Sequence, residues 1–234
     1  MHRHGAGEVK RKAILLAAVL ASFVFLAGLG RNGDSVYVSH DNSQMKIALT
    51  FDDGPHETLT PEILDILAEY GAKATFFLVG ENAEAHPELV IRETVEGHEI
   101  GNHTYSHVVL KKDDTASAIE ELKSTESVLY AIGEYRPKYV RPPCGVYDST
   151  VIETVKSLGC KVVLWNIDTR DWAHTPSEDI IEMLLSTVKS GDIILCHDYI
   201  TGYSPTPEVL RAVIPALMKQ GYSFVTVSEL IGSE

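Results

Sequence analysis

Strand-like and helix-like segments alternate along the chain from Met45 to its C-terminus. A buried-strand run such as 47–51 is followed by an amphipathic run such as 61–70, and this pattern recurs about seven times. Regular alternation places the strands in one parallel sheet joined by right-handed crossovers. The sequence therefore predicts an α/β fold of about seven β–α units. We expect a closed or nearly closed (β/α) barrel, with an open doubly wound sheet as the alternative.

The predicted elements follow from apolar periodicity and from helix-ending signals. The predicted strands are 46–51, 74–79, 99–102, 139–141, 161–165, 193–196 and 223–226. The predicted helices are 61–70, 87–96, 115–132, 148–158, 177–188 and 207–220, with a short terminal helix. Thr60 is the expected N-cap of the first helix, and Gly71 the residue that ends it.

Polar side chains gather where the predicted strands end. Those at or just after a strand end are Asp52, Asp53, His103, Arg141, Asp168, Asp171 and His197. In a barrel of parallel strands, that rim is where catalytic groups are found. We therefore expect these groups to share one site.

Two adjacent carboxylates, Asp52 and Asp53, end the first predicted strand. Like charges in a partly dry site raise one another's pKa, which makes the pair costly unless one of them holds a cation. His103 and His107, spaced i, i+4, would reach one side of a helical turn and share that cation. One Asp with two His is a metal-ligand set that leaves coordination positions open. The remaining carboxylate would then act as a base.

Three further segments carry groups suited to acid–base chemistry. The stiff turn Arg141-Pro142-Pro143-Cys144-Gly145 can direct a guanidinium and the Cys144 N–H towards one point. His197 ends a buried strand and is a candidate general acid, and Asp171 would accept its hydrogen bond and raise its pKa. Trp172 could form an aromatic wall, or it could be a core residue.

The N-terminal part differs in composition from the rest. We expect a basic cytoplasmic tail at 1–12, an uncharged signal-anchor or signal peptide at 13–30 and a polar linker at 31–44. The domain at 45–234 would then lie outside the cytoplasm, tethered to the membrane or secreted.

The net charge of −13 argues against a nucleic-acid partner. The three cysteines do not have the spacing of a zinc ribbon, and we expect them to be small buried residues. The sequence does not predict the oligomeric state.

Five segments, in this order, resemble the polysaccharide deacetylase family, the NodB-homology domain of carbohydrate esterase family 4. They are 50–55, 103–107, 141–145, 168–172 and 195–197, and the resemblance covers about 45–234. It implies a distorted (β/α) barrel that uses a divalent metal (zinc, or else cobalt or manganese) to remove N-acetyl groups from amino sugars.

The resemblance also implies a role for each matching residue. Asp52 would be the general base, oriented by Arg141, and His197 the general acid, tuned by Asp171. The metal would be held by Asp53, His103 and His107. The Cys144 N–H would help to hold the oxyanion, and Trp172 and Leu195 would line the acetyl pocket. Cys144 stands where the family usually has Tyr or Phe, which puts the substrate preference in question.

The expected function is removal of N-acetyl groups from N-acetylglucosamine in a cell-wall or chitin-like polymer, with peptidoglycan favoured. One alternative is an O-deacetylase such as an acetylxylan esterase. Another is a membrane-tethered glycan-binding or sporulation protein that keeps the fold without the chemistry. Loss of Asp52 or His197 would favour that last alternative, and both are present.

Overall fold

The computed structural model describes residues 36–40, 43–110 and 114–232. Its strands are β1 (Val36–Tyr37), β2 (Lys46–Asp52), β3 (Ala74–Leu78), β4 (Glu99–Asn102), β5 (Tyr139–Val140), β6 (Lys161–Val163), β7 (Ile167–Asp168), β8 (Ile193–His197) and β9 (Ser223–Phe224). Its α-helices are α1 (Leu59–Tyr70), α2 (Gly80–Ala85), α3 (Pro87–Val95), α4 (Thr115–Gly133), α5 (Ser149–Ser157), α6 (Ser177–Thr187), α7 (Thr206–Lys219) and α8 (Val227–Ile231). Short 3-10 turns lie at Pro143–Gly145 and Asp171–Ala173.

The strands form one curved parallel sheet, a half-barrel with helices packed on it. The order is β1-β6-β5-β4-β3-β2-β8-β7, and β9 pairs with β2. The run 161–168 carries both β6, which pairs with β5, and β7, which pairs with β8. Both flanks of the sheet are therefore held by one segment. The expected (β/α) barrel is confirmed only in part, because the described strands form a half-barrel in which the edge strands β1 and β7 do not pair with each other. The open doubly wound alternative is not observed.

Strand β2 lies at the centre of the sheet and of the core. Its residues from Ile47 to Asp52 are all buried, because β3 and β8 flank the strand and helices cover its outer face. The largest apolar cluster joins β2, β3 and β8 to α1 and α7. A strand buried on both faces is usually a near-continuous run of apolar residues, and 47–51 has this pattern apart from Thr50. The C-terminal ends of β2 and β8 are consequently held in a rigid frame.

Several local predictions differ from the structure. Val36 and Tyr37, predicted to lie in a linker, form β1 beside β6. Helix α2 was not predicted, since it is only six residues long and begins at a glycine. Thr60 is not the cap of α1: Thr58 occupies that position, and Thr60 lies inside the helix.

The predicted tail and export segment, 1–12 and 13–30, lie outside the described residues. Among the residues that the structure does describe, no helix is both long and apolar enough to cross a membrane.

Candidate active site

Asp52 ends β2, and Asp53 follows it directly in a turn. Asp52 is buried within the strand, whereas Asp53 leaves it with a φ of 77°, in the left-handed region that non-glycine residues rarely adopt. The Asn82 side chain on α2 donates a hydrogen bond of 2.7 Å to the Asp53 carbonyl oxygen and holds this turn. Such local strain persists only where the surroundings enforce it, and it is typical of functional sites.

Three predicted metal ligands converge on one point. Asp53 Oδ1 lies 3.3 Å from His103 Nε2 and 3.2 Å from His107 Nε2. One ligand atom from each of the three residues lies within 4.8 Å of the others. His103 is buried and His107 is partly exposed, so the cluster opens to solvent on one side.

The residues of this cluster fit a divalent cation. Asp53 Oδ1 is buried, yet it has no hydrogen-bond partner of acceptable geometry among the described residues. Burial raises the pKa of Asp53, but His103 and His107 outweigh it and hold that pKa below its ordinary value. His103 Nδ1 contacts the Arg141 carbonyl oxygen at 2.6 Å, which leaves Nε2 as the nitrogen available to a metal. One ionised carboxylate and two imidazoles suit zinc and similar ions, with room for further ligands.

The predicted helical turn from His103 to His107 is wrong. The segment is a loop, and Thr104 and His107 have φ angles of 69° and 54°. Glu121 on α4 holds this loop: its carboxylate accepts hydrogen bonds from the backbone N–H groups of Tyr105, at 2.9 Å, and Ser106, at 2.8 Å. The Ser106 hydroxyl also donates to it, at 2.9 Å. The i, i+4 spacing thus brings the two histidines together through a tethered loop.

Arg141 is fully buried beside Asp52. Its guanidinium donates a 2.7 Å hydrogen bond to Asp52 Oδ1 and another to the Thr50 hydroxyl. Two more hydrogen bonds go to the backbone carbonyls of Val163 and Leu164. This fixed contact occupies one oxygen of Asp52. The other oxygen, Oδ2, faces His103 Nε2 at 3.7 Å, on the side of the metal-ligand cluster.

His197 lies next to Asp52, because the two residues are directly paired in the β2–β8 register. Its Nδ1 is 2.8 Å from Asp171 Oδ1, and its backbone N–H donates to Asp171 Oδ2. Burial lowers the pKa of His197, but the hydrogen bond and charge of Asp171, with the charges of Asp52 and Asp53, raise it to about 9. The raised pKa favours the protonated imidazole at neutral pH, with Nε2 left to donate.

The two predicted pocket residues, Leu195 and Trp172, and the predicted oxyanion residue, Cys144, are placed differently from one another. Leu195 is buried two residues before His197, on the same face of β8. Trp172 is half exposed on the 3-10 turn that carries Asp171, so it is not a core residue. Cys144 is exposed on the turn after β5 with a φ of 58°, contrary to the expectation that all three cysteines are buried.

Sequence reasoning missed Asp198, which anchors the turn after Asp53. This fully buried carboxylate accepts a 3.1 Å hydrogen bond from the Gly54 N–H and a 2.7 Å hydrogen bond from the Thr60 hydroxyl. Burial raises the pKa of Asp198 to about 7. In the sequence, only its position directly after His197 could have identified Asp198 as part of the site. No sequence feature could have identified Glu121.

Comparison with known proteins supports the resemblance. Residues 39–163 match the family described as polysaccharide deacetylase. A peptidoglycan-N-acetylglucosamine deacetylase of Bacillus cereus is 41% identical over 192 residues, which cover 81% of this chain and 90% of that protein. The chain spans only 48% and 39% of two longer peptidoglycan deacetylases that it also matches.

Solved structures show the same fold. A peptidoglycan N-acetylglucosamine deacetylase, crystallised with a substituted N-hydroxybenzamide, aligns with a TM-score of 0.79 and 35% identity over 84% of this chain and 92% of that one. A family 4 acetyl xylan esterase of Clostridium thermocellum, in complex with a cobalt ion, aligns with a TM-score of 0.74 and 35% identity over 79% and 89%. The chain belongs to the polysaccharide deacetylase family, that of the NodB-homology domain and carbohydrate esterase family 4.

Proposed function

We propose that the protein is a metal-dependent hydrolase that removes N-acetyl groups from N-acetylglucosamine residues of a cell-wall polysaccharide. The observation that carries the proposal is the placement of Asp52 and His197 side by side on β2 and β8, next to the cluster of Asp53, His103 and His107. A base, an acid and a set of metal ligands thus share one rim. A glycan-binding protein without catalysis would need none of these matched groups.

Asp52 is the general base in this proposal. Arg141 holds Oδ1 in place, and Oδ2 remains directed towards the metal-ligand cluster. From that position Oδ2 takes a proton from the attacking water as the carbon–oxygen bond forms. A positioned general base contributes roughly 10²–10⁴-fold in rate.

Asp53, His103 and His107 would hold a divalent cation, with zinc favoured over cobalt or manganese. The cation supplies Lewis-acid polarisation of the acetyl carbonyl and of a nearby water. The backbone N–H of Cys144 would donate to the oxyanion from the protein side. Leu195 and Trp172 would contact the acetyl methyl group.

His197 is the general acid in this proposal. Asp171 fixes its Nδ1, and the raised pKa keeps Nε2 protonated at neutral pH. An amine leaves only after its nitrogen is protonated, so Nε2 would donate that proton as the amide carbon–nitrogen bond breaks. Acetate and a free amino sugar are the products.

The substrate class follows from the relatives. Several are peptidoglycan deacetylases, which favours a cell-wall glycan with a chitin-like oligosaccharide as a second possibility. Such a substrate implies an extracytoplasmic location. The apolar segment 13–30, preceded by Lys10, Arg11 and Lys12, would export the domain or anchor it to the membrane.

A second candidate is an O-deacetylase. The esterase of Clostridium thermocellum aligns at 35% identity, and the same base, acid and ligand groups could cleave an ester. Amide and ester substrates must therefore be compared directly.

The test is acetate release by the purified full-length protein from peptidoglycan, chitooligosaccharides and acetylated xylan in parallel. Release from an amino-sugar polymer, with a matching loss of acetyl mass in the product, is expected. Release from xylan alone would assign an O-esterase. No release from any of the three, in protein shown to bind metal, would contradict the proposal.

A further inference from the structure

The described chain begins on the side of the sheet opposite the catalytic rim. Val36 pairs with Val162 in β6, and the His40 N–H donates a 2.9 Å hydrogen bond to the Gly191 carbonyl oxygen, just before β8. Because the strands are parallel, their first residues lie at one edge of the sheet and the catalytic groups at the other. The surface formed by the strand starts and by the helix ends that precede them is called the basal face below.

The basal face is close in sequence to the apolar segment 13–30. Only residues 31–35 separate that segment from Val36, and a chain of this length reaches at most about 20 Å when fully extended. In the anchored form, with 13–30 in the bilayer, the start of β1 therefore stays within that distance of the membrane surface. The tether alone does not fix which side of the domain faces the lipid, so the charge of each side matters.

Lysine side chains are concentrated on the basal face. Among the described residues, every lysine except Lys123 begins a strand, lies in the loop before a strand or lies in the last turn of a helix. A cation in the last turn complements the helix dipole, but that reason does not apply to lysines at strand starts. The basal lysines are Lys46, Lys73, Lys138, Lys156, Lys161, Lys189 and Lys219.

Carboxylates show the opposite distribution. The exposed ones on the basal face, within the described ranges, are Glu69, Glu134 and Glu229. The less exposed acids there already bind groups of the protein, as Glu99 binds the Ser228 N–H. The catalytic rim, in contrast, carries acids at strand ends, at helix N-caps and in first helical turns, among them Asp53, Glu62, Glu81, Glu88, Asp114, Asp148, Asp168, Glu178, Asp179 and Glu208. The domain is therefore basic on one side and acidic on the other.

We propose that the basal face binds the anionic lipid headgroups of the membrane that holds segment 13–30, which directs the catalytic rim away from the bilayer. The inference rests on the anchored form of the proposed function. An anionic bilayer attracts lysines and repels carboxylates within a Debye length, about 10 Å. Because the whole chain has a net charge of −13, this attraction orients a tethered domain and does not recruit an untethered one. The rim would then meet glycan that lies beyond the membrane surface.

The test places a fluorophore on one cysteine of the full-length protein, reconstituted into vesicles whose lipid headgroups carry a quencher. Cys144, which is exposed on the rim side, is one labelling site. Gln220→Cys combined with Cys144→Ser gives the other, since Gln220 is an exposed, uncharged residue at the end of α7. In vesicles of phosphatidylglycerol and phosphatidylcholine in equal parts, the label at position 220 should be quenched several-fold more than the label at position 144.

Charge reversal separates headgroup attraction from the effect of the tether. Lys138→Glu and Lys189→Glu, at exposed basal positions, should each reduce the difference in quenching between the two labels. Lys123→Glu is the matched control, because it makes the same change at an exposed position in the middle of α4 and should leave the difference as it is. The difference should also shrink in vesicles of phosphatidylcholine alone and at high salt.

Equal quenching of the two labels in the anionic vesicles would overturn the inference, and so would a difference that neither basal substitution reduces. Protein that does not float with the vesicles would also overturn it. A difference that appears only when soluble polyphosphate is added would assign the basal face to an anionic polymer in place of lipid. None of these measurements uses acetate release, so the deacetylase activity is tested independently by the assay described above.

Discussion

Asp52 and Asp53 are neighbours in the chain and both approach His103, but their shortest contacts are to different residues. Asp52 binds Arg141 inside the sheet, whereas Asp53 faces the two histidines on the loop side. Asp53 lies in a turn of positive φ just after the strand that holds Asp52. The proposed roles of base and metal ligand should therefore be separable by substitution.

We expect Asp52→Asn to retain metal but to lose acetate release by about 10²–10⁴-fold, because an amide cannot take the proton. Metal content and initial rates measure the two effects. The substitution also removes the charged partner of the buried Arg141 and so destabilises the protein. The unfolding temperature must therefore be measured beside the assay. Asp168→Asn, which alters a carboxylate at the end of the nearby strand β7, is the control. An active Asp52→Asn enzyme would exclude Asp52 as the base.

The second expectation concerns pH and His197. Its raised pKa, about 9, means that the donor proton is present at neutral pH and is lost as the pH rises through that value. The alkaline limb of the kcat/KM profile should accordingly lie near or below pH 9. A metal ion bound to Asp53 would lower the pKa of His197 and move the limb below that value. Asp171→Asn removes the contact that raises the pKa and should move the limb to lower pH. An unmoved limb would mean that another group controls it.

Sequence alone selected the residues to which we assign chemistry, together with Arg141 and Asp171, but it missed two further acids that contact the site. Asp53, His103 and His107 stand out as residue types with metal chemistry, and the structure brings them together. Glu121 and Asp198 are ordinary acids in the sequence. They contact the site only because α4 and β8 pass beside it, and no local pattern records that proximity.

The secondary structure was predicted where periodicity was long enough to read. The predicted bounds of α4 differ from the structure by one residue, and all seven predicted strands are observed in part. The strands β1 and β7 have two residues each and depend on pairing with their neighbours. The loop from His103 to His107 was misread as helical because its spacing matches a helical turn.

Helix α4 has a specific effect on metal binding. Glu121 accepts hydrogen bonds from the backbone of Tyr105 and Ser106, between the two ligand histidines. We expect Glu121→Ala to weaken metal affinity about tenfold, as loss of an outer partner commonly does. Competition with a chelating dye measures this affinity without any substrate. Glu120→Ala, on the exposed side of the same helix, should leave it unchanged, and equal effects of both substitutions would argue for a general loss of helix stability.

A buried carboxylate on α3 is a costly feature of the described fold. Glu93 on α3 is fully buried, and neither of its carboxylate oxygens has a hydrogen-bond partner among the described residues. Burial, and then the charge of Asp198, raise the pKa of Glu93 well above its ordinary value. The folded state consequently binds a proton more tightly than the unfolded state, and stability falls as the pH rises from about 4.5 towards the folded pKa.

We expect Glu93→Gln to raise the unfolding temperature at neutral pH, with a gain that shrinks as the pH falls towards 4.5. An uncharged amide avoids the cost of burying a carboxylate that must either ionise or hold a proton. Calorimetric scans across pH measure the difference. Glu88→Gln, at an exposed position of the same helix, should show no such pH dependence. A gain that is constant with pH would contradict the assignment to Glu93 ionisation.

The proposed metal centre is tested most directly by stepwise metal reconstitution of the full-length protein. Acetate release from an N-acetylated chitooligosaccharide would be measured after chelation and again as zinc or cobalt is added, with bound metal counted in each sample. Activity should disappear on chelation and return in proportion to bound metal, reaching its maximum at one ion per chain. His103→Ala should neither bind the ion nor recover. Full activity in chelated, metal-free protein would contradict the role assigned to Asp53, His103 and His107.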